Sequence, residues 1–325
     1  MKKILVVQAI RLEALRLFEE RPDINFEVLT DFSRDNLLRH IADADALTVR
    51  DAPVPADILE AAPRLKVISR HGVGFDNIPV DYCTARGLPV TVVGDVNSSS
   101  VAEQTMFLAL AAARRGVLLD AAVRHGDFAA RTRITGVELR GRRLLLIGFG
   151  RIGREVAVRA AAFGMRISVY DPFVNPTLFP DIVFVATLEE GLVAADVVSL
   201  HVPLNLHTKN MISHRELALL PIGAIVINTA RGGILDENAM LAALKNNRLR
   251  AVGLDTFEVE PVPVGHPLLK EKNAVLSPHS GALTEESLIA MGVATARNAL
   301  AGLDGTLDPA FVVNPTVLKR GSNAV

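Results

Sequence analysis

The sequence predicts an α/β fold in which parallel sheets are covered by helices on both faces. Three observations predict it. Short apolar runs alternate with helix-like segments along nearly the whole chain. Most runs are continuously apolar rather than alternating, as strands with two buried faces require. One of them leads into a glycine turn, Gly148–Phe149–Gly150–Arg151–Ile152–Gly153, which opens a further helix-like segment.

Composition bounds the rest. The 325 residues suggest two domains, and half of them are hydrophobic, enough for two cores. The 35 basic and 36 acidic residues nearly cancel and form no basic stripe, so nucleic acid is not an expected partner. A single cysteine, Cys83, excludes an internal disulfide and fits a reducing, cytoplasmic compartment; with no activating neighbour in sequence it reads as a buried structural thiol. No run is long enough to span a membrane. The apolar start after Lys2 and Lys3 reads as a first strand rather than a leader, because Gln8, Arg11 and Glu13 interrupt it. No metal is expected.

In chain order, strands are expected at Ile4–Val7, Ile24–Leu29, Ala46–Val49, Leu65–Ser69 and Pro89–Val93, with helices at Leu12–Glu20, Arg34–Ala42, Ala56–Ala62 and Val80–Arg86. A long apolar helix follows, Val101 to about Leu119, with Ser99 or Ser100 as N-cap and Glu103 as a capping-box partner. Residues 120–142 carry Arg124, Arg131, Arg133, Arg140 and Arg142, and read either as a solvated connection or as an arm packed on a second subunit. Later strands are expected at Leu144–Ile147, Arg166–Tyr170, Ile182–Val185, Val197–His201, Ala224–Asn228, Ala251–Leu254 and Ala274–Ser277. A helix from Arg154 to Phe163, stopped by Gly164, separates the first two of these.

Each glycine of the turn has a job. Gly148 allows the tight exit from the strand, Gly150 lets a pyrophosphate approach the backbone, and Gly153 lets the helix pack closely on the sheet. The helix start offers free N–H groups and a positive dipole end to phosphates. Asp171 ends the next strand, 18 residues after Gly153, where a carboxylate accepts both ribose hydroxyls of an adenosine and repels a 2′-phosphate. Phe173, Val174 and Asn175 follow, with no Arg or Lys to receive such a phosphate. The expected cofactor is NAD rather than NADP.

Ligands of a doubly wound sheet bind beyond the carboxyl ends of its strands, so the residues after each run matter most. Arg231 follows Ala224–Asn228 and offers a fork that matches a carboxylate. Asp255 and Glu260 follow Ala251–Leu254. His279 follows Ala274–Ser277 and suits proton transfer, with a neighbouring carboxylate to fix its tautomer. Singly these are ordinary surface residues. Their placement after different strands of the nucleotide-binding half is what singles them out.

Six motifs taken together carry a resemblance. They are Arg70–His71–Gly72–Val73–Gly74–Phe75–Asp76–Asn77, Ser100–Val101–Ala102–Glu103, the glycine turn, Asn228–Thr229–Ala230–Arg231–Gly232–Gly233, Gly253–Leu254–Asp255 with Glu258–Val259–Glu260–Pro261, and Pro278–His279–Ser280–Gly281–Ala282. From about Leu47 to His279 the chain resembles the D-isomer-specific 2-hydroxyacid dehydrogenases, and among them it is most similar to the phosphoglycerate dehydrogenases, in a short form with no room for an appended regulatory domain.

The resemblance implies an NAD-dependent interconversion of a 2-hydroxy acid and its 2-keto acid. His279 would be the acid/base, Glu260 its partner, and Arg231 the holder of the substrate carboxylate and carbonyl. Amides at Val73 and Gly74 would bind the carboxylate, and Arg70 a second anionic group, with Arg50 and His71 adding positive potential. His201, Val202, Pro203, Thr208, Thr229, Ala230, Arg231, Asp255, His279 and Gly281 would line the cofactor with the glycine turn.

The implied architecture is a Rossmann-type NAD domain, 98–288, inserted in a flavodoxin-like parallel α/β substrate domain, 1–97 plus 289–325, with the active site in the cleft and a homodimer as the assembly. Hydroxypyruvate or glyoxylate reductases, formate and phosphite dehydrogenases, and NADH-sensing corepressors share this pattern and remain as alternatives.

Overall fold

A strand buried on both faces can be apolar at every position, and most strands of this chain follow that rule. In the computed structural model, which describes residues 1–318, the chain divides into two compact units. One is Met1–Asn97 with the segment from Leu283 on, and the other is Ser98–Ala282. The return to the first unit precedes the expected 289, because that position lies inside a single helix, Glu285–Asp304, that belongs wholly to the first unit.

The first unit alternates strand and helix: β1 (Lys2–Val7), α1 (Leu12–Glu19), β2 (Ile24–Leu29), α2 (Arg34–Ile41), β3 (Ala46–Val49), α3 (Ala56–Glu60), β4 (Val67–Arg70), α4 (Val80–Arg86) and β5 (Val90–Thr91). Its sheet is parallel in the flavodoxin-like order β2-β1-β3-β4-β5. Successive side chains point to opposite faces. Leu5, Leu47 and Ile68 therefore join one core with Leu37, Ile58 and Cys83, while Ile4, Ala46 and Val67 join the other with Phe18, Ala296 and Leu303. Cys83 is fully buried, and burial pushes its thiol up to about 11, as an unreactive thiol requires. Strand β5 is shorter than Pro89–Val93, since Pro89 has no N–H to give a ladder.

The second unit comprises α5 (Ser98–Arg114), α6 (Gly116–Arg124), β6 (Arg143–Ile147), α7 (Arg151–Ala162), β7 (Arg166–Tyr170), β8 (Val183–Phe184), α8 (Leu188–Ala194), β9 (Val197–Leu200), α9 (His214–Leu219), β10 (Ala224–Asn228), α10 (Glu237–Lys245), β11 (Leu249–Leu254) and β12 (Ala274–Leu276). Its parallel sheet runs β12-β11-β10-β9-β6-β7-β8. Leu145, Ile147, Val198 and Val226 pack toward α8, α9 and α10, whereas Leu144, Leu146, Val197 and Ile227 pack toward α5 and α7. The helix from Glu285 to Asp304, α11, returns to the first unit and packs on β3, β4 and α1.

Two helices depart from expectation. Helix α5 starts at Ser98, so Ser99 and Ser100 lie inside it and are not caps. Ser99 Oγ accepts from Arg159 at 2.6 Å, Ser100 Oγ donates to the Gly281 carbonyl at 2.6 Å, and Glu103 pairs with Arg159 at 3.5 Å instead of closing a capping box. The helix also stops before Leu119, at Arg115, whose left-handed backbone (φ 57°) breaks it from α6. Helix α7 begins at Arg151 rather than Arg154, directly out of the glycine turn.

Gly302 of α11 lies against β4, where an added Cβ would stand 2.5 Å from Val67 Cβ. Gly302→Ala should destabilise the first unit by about 1–3 kcal/mol through overpacking, read as a lower midpoint in urea unfolding; an unshifted midpoint would show that α11 can move off the sheet.

Candidate active site

In the second unit the chain leaves β6 toward β7 and β8, then crosses to β9, β10, β11 and β12 on the other side. The strand order reverses between β6 and β9, and doubly wound sheets bind their ligands beyond the carboxyl ends of the strands at such a point. Gly148 leaves β6 at φ 96°, and an added Cβ would stand 2.5 Å from the His201 carbonyl at the end of β9. A Cβ on Gly153 would collide with the Gly148 carbonyl, so the helix seats tightly on the turn. Gly150 faces open space, and no side chain caps the α7 start. These are the features a pyrophosphate needs.

Asp171 stands beside this turn. Its Oδ2 accepts from the Phe149 N–H at 2.8 Å and its Oδ1 from the Phe173 N–H at 2.9 Å. The acid is thereby oriented, and each oxygen keeps a lone pair for a ribose hydroxyl. On the β9 side, burial pushes the His201 imidazole down to about 3, so the ring is neutral; its Nε2 meets Ser199 Oγ at 2.8 Å. Thr208 braces the loop after Val202, donating to the Pro203 carbonyl at 2.5 Å and accepting from the Asn205 N–H at 2.8 Å. The glycines, the uncapped helix and the oriented acid all fit a dinucleotide.

The chemistry-bearing residues come from three neighbouring strands. Asn228, Leu254 and Leu276 are level with one another across β10, β11 and β12. The segments that follow therefore begin in one row. Asn228 shapes the first: its side chain donates to the Arg231 carbonyl at 2.8 Å and accepts from the Ala230 N–H at 3.1 Å. Thr229 Oγ1 contacts Thr105 Oγ1 at 2.8 Å, and Arg231 Nη1 donates to the Ala230 carbonyl at 2.7 Å. Gly232 has no room for a side chain, since a Cβ would overlap the Phe257 carbonyl. The arginine turn thus lies directly on the segment that carries Glu260.

Glu260 and His279 meet. His279 Nδ1 is 2.7 Å from Glu260 Oε2, and Glu260 Oε1 accepts from the Phe257 N–H at 2.9 Å. Burial pushes the Glu260 carboxyl up, but the bonds from His279 and Phe257 and the charges of His279 and Arg231 outweigh it and hold the group below its ordinary value. An ionised carboxylate only accepts, so the proton of this bond sits on Nδ1 and leaves Nε2 to exchange protons. The two side chains are 44% and 36% exposed, open enough for a small acid to reach.

Asp255, 1% exposed, turns both oxygens into the 277–281 turn. Its Oδ1 accepts from Ser277 Oγ at 2.5 Å and the Ser280 N–H at 2.9 Å, and its Oδ2 from the Gly281 N–H at 2.8 Å.

In the first unit, Arg70 closes β4. Its Nη1 donates to the His71 carbonyl at 2.8 Å, its Nη2 reaches Asp51 Oδ1 at 3.3 Å, and the guanidinium lies over Gly72. Val73 is exposed and Gly74 half-buried. Burial and the charges of Arg50 and Arg70 push the His71 imidazole down to about 4. His71 is neutral near pH 7 and adds no positive potential, contrary to expectation.

A glycine turn that fits a dinucleotide and a histidine–carboxylate pair thus stand at strand ends of the same sheet, an arrangement suited to redox chemistry on a small acid. Comparison with known proteins narrows the class. Residues 106–281 match the family described as D-isomer specific 2-hydroxyacid dehydrogenase, NAD binding domain. The D-3-phosphoglycerate dehydrogenase of Methanocaldococcus jannaschii is 42% identical over 320 residues, covering 98% of this chain and 60% of that protein. The glyoxylate reductase of Thermofilum pendens is 39% identical over 326 residues, covering 98% of this chain and 96% of that protein. The D-lactate dehydrogenase of Aquifex aeolicus, solved with NAD and lactic acid, superposes with a TM-score of 0.86 at 29% identity, covering 96% of this chain and 99% of that one. The chain belongs to the D-isomer specific 2-hydroxyacid dehydrogenase family and carries its NAD-binding domain. It spans less than two thirds of the length of the phosphoglycerate dehydrogenase it matches, and nearly all of the glyoxylate reductase.

Sequence reasoning singled out Arg231, Glu260 and His279, and the structure brings Glu260 and His279 into contact. It missed Asn228, Ser277 and Ser280 as the residues that shape the turns; their signal was a polar side chain at or just beyond the end of an apolar strand.

Folding lowers the Glu260 value below its ordinary 4.5. The ionised form is therefore stabilising above that value, and the contribution is lost as pH falls through and below it. Glu260→Gln should flatten the acid limb of a melting-temperature profile below about pH 4.5. An acid limb identical to the parent's would mean the Glu260–His279 bond does not hold in solution.

Proposed function

We propose that this chain is an NAD-dependent oxidoreductase that interconverts a D-2-hydroxy acid and its 2-keto acid, with a substrate like that of phosphoglycerate dehydrogenase. The observation that carries the reading is the 2.7 Å bond between His279 Nδ1 and Glu260 Oε2, on strand ends next to the one that carries Arg231. The bound nicotinamide supplies or accepts the hydride. In reduction, His279 Nε2 gives a proton to the keto oxygen; in oxidation it takes the hydroxyl proton. Glu260 holds the ring and stabilises its charged form, while Arg231 binds the carboxylate and the oxygen on which charge develops. Val73 and Gly74 give amides to the carboxylate, and Arg70 binds a second anionic group.

NAD is held by Gly148, Gly150, Arg151, Ile152 and Gly153 at its pyrophosphate and by Asp171 at its ribose. His201, Val202, Pro203, Thr208, Thr229, Ala230, Asp255 and Gly281 line it. A 2′-phosphate would face the Asp171 carboxylate.

A second reading, reduction of a plain acid such as glyoxylate or hydroxypyruvate, is supported by two observations. The glyoxylate reductase relative matches along nearly its whole length. Arg70 already faces Asp51 at 3.3 Å, so a second substrate anion competes with that carboxylate.

The test is NADH consumption against 2-keto acids paired as plain and dianionic members, hydroxypyruvate with 3-phosphohydroxypyruvate among them. Preference for the dianion, lost in Arg70→Ala, is the expected result; preference for the plain acid selects the second reading. His279→Ala should lower turnover by about 100- to 10,000-fold with NADH affinity unchanged. Near-parental turnover in that variant refutes the mechanism.

The assembly proposed is a homodimer in the cytoplasm. Helix α6 buries none of its residues, and it exposes Val117 and Val123 with Phe128 close behind. The lone, buried Cys83 supports the reducing compartment. Light scattering should give twice the chain mass, and Val123→Glu with Phe128→Glu should halve it; a parent already at one chain mass rules the dimer out.

A further inference from the structure

Helix α5 packs against β10, β11 and β12, the three strands whose ends carry Arg231, Glu260 and His279. The approach is close: a Cβ on Gly253 of β11 would stand 2.8 Å from Leu108 Cβ. Most of α5 is apolar, yet it sends three polar side chains to the catalytic turns. Ser100 Oγ donates to the Gly281 carbonyl at 2.6 Å. Thr105 Oγ1 lies 2.8 Å from Thr229 Oγ1; Thr105 gives its own proton to the Val101 carbonyl, so Thr229 is the donor. Gln104 Nε2 donates to Ser277 Oγ at 2.8 Å.

The Gln104 contact has a chemical consequence. Ser277 has one hydroxyl proton. By accepting from Gln104 it is set to donate, and it does so to Asp255 Oδ1 at 2.5 Å. Asp255 in turn holds the N–H groups of Ser280 and Gly281, just beyond His279. His279 sits at φ 50°, a left-handed conformation that a non-glycine residue keeps only when its surroundings hold it.

We propose that Gln104 is a positioning residue for the reaction. Through Ser277 and Asp255 it fixes the strained His279 turn, so that Nδ1 stays on Glu260 and Nε2 keeps its aim. The kinetic part of this proposal rests on the dehydrogenase reading above; the structural part does not.

Two variants of the full chain separate this role from simple packing. Gln104→Leu removes the donor at similar volume. In Gln104→Glu the ionised side chain only accepts, so Ser277 turns its proton toward the new carboxylate and away from Asp255. A protonated carboxyl donates again and restores the relay.

Two readouts are taken on parent and variants across pH. One is the His279 ring NMR signal, assigned by its loss in His279→Asn. The other is turnover of the keto acid the parent uses best. In Gln104→Leu the His279 signal should move and kcat should fall about tenfold, with NADH affinity held. In Gln104→Glu the same changes should appear at about pH 8 and fade only as pH falls to about 4, where an ordinary glutamate carboxyl protonates.

A His279 signal superposed on the parent's in both variants at every pH overturns the proposal, as does a deficit in Gln104→Glu that ignores pH. A parent inactive on every acid refutes the activity reading alone, and the NMR readout still decides the positioning role. Should Gln104→Leu fail to fold, Ser277→Ala, which deletes only the hydroxyl, gives the same NMR test.

Discussion

Parallel strands paired in register end at one level, and the candidate active site depends on that constraint. Asn228, Leu254 and Leu276 are held side by side by the ladders of β10, β11 and β12. The segments leaving them start from a common edge, so residues far apart in sequence are brought together without long loops. Small residues then close the gaps. Gly232 lets the arginine turn lie on the Phe257 backbone, and Gly281 lets the histidine turn lie against the Asp255 carboxylate. A Cβ at Gly232 would overlap the Phe257 carbonyl and push the two segments apart, and one at Gly281 would stand 2.9 Å from Asp255 Oδ2, so that carboxylate would have to shift.

Much of the fold was legible because double burial leaves a strong mark. Strands β3 and β10, buried at every position, follow their expected runs residue for residue. What was illegible has local causes. Arg115 breaks α5 from α6 in a left-handed conformation, which a sequence announces only when the residue is glycine or asparagine. Ser99 and Ser100 carry the chemistry of caps, but tertiary partners, Arg159 and the Gly281 carbonyl, claim their hydroxyls inside the helix. Local preference yielded to packing in both cases.

The candidate site was legible for a different reason. Looking past the ends of buried strands found Arg231, Glu260 and His279 because a parallel sheet leaves its chemistry there. The same rule is blind to what lies beneath. Gln104 and Thr105 sit in a helix that otherwise reads as core, and their targets, Ser277 and Thr229, lie in sequence more than a hundred residues away. A buried polar group must find a partner, so polar side chains on the covered face of an apolar helix announce a contact. They do not announce its identity.

Environment also sorts the histidines. His71, His201 and His279 all stand at the ends of parallel strands, and by position alone each is a candidate proton carrier. Burial pushes His201 down to about 3, and burial with two neighbouring arginines pushes His71 down to about 4. Both rings are neutral near pH 7 and serve as polar walls. Of the three, His279 alone is bonded to a carboxylate, and it is the most exposed. A proton carrier needs both: a partner that stabilises the charged ring, and an open nitrogen through which the proton moves. The fold places a carboxylate partner and an exposed ring together at the end of β12 and not at the ends of β4 and β9, so the difference among three similar side chains follows from what each strand end packs against.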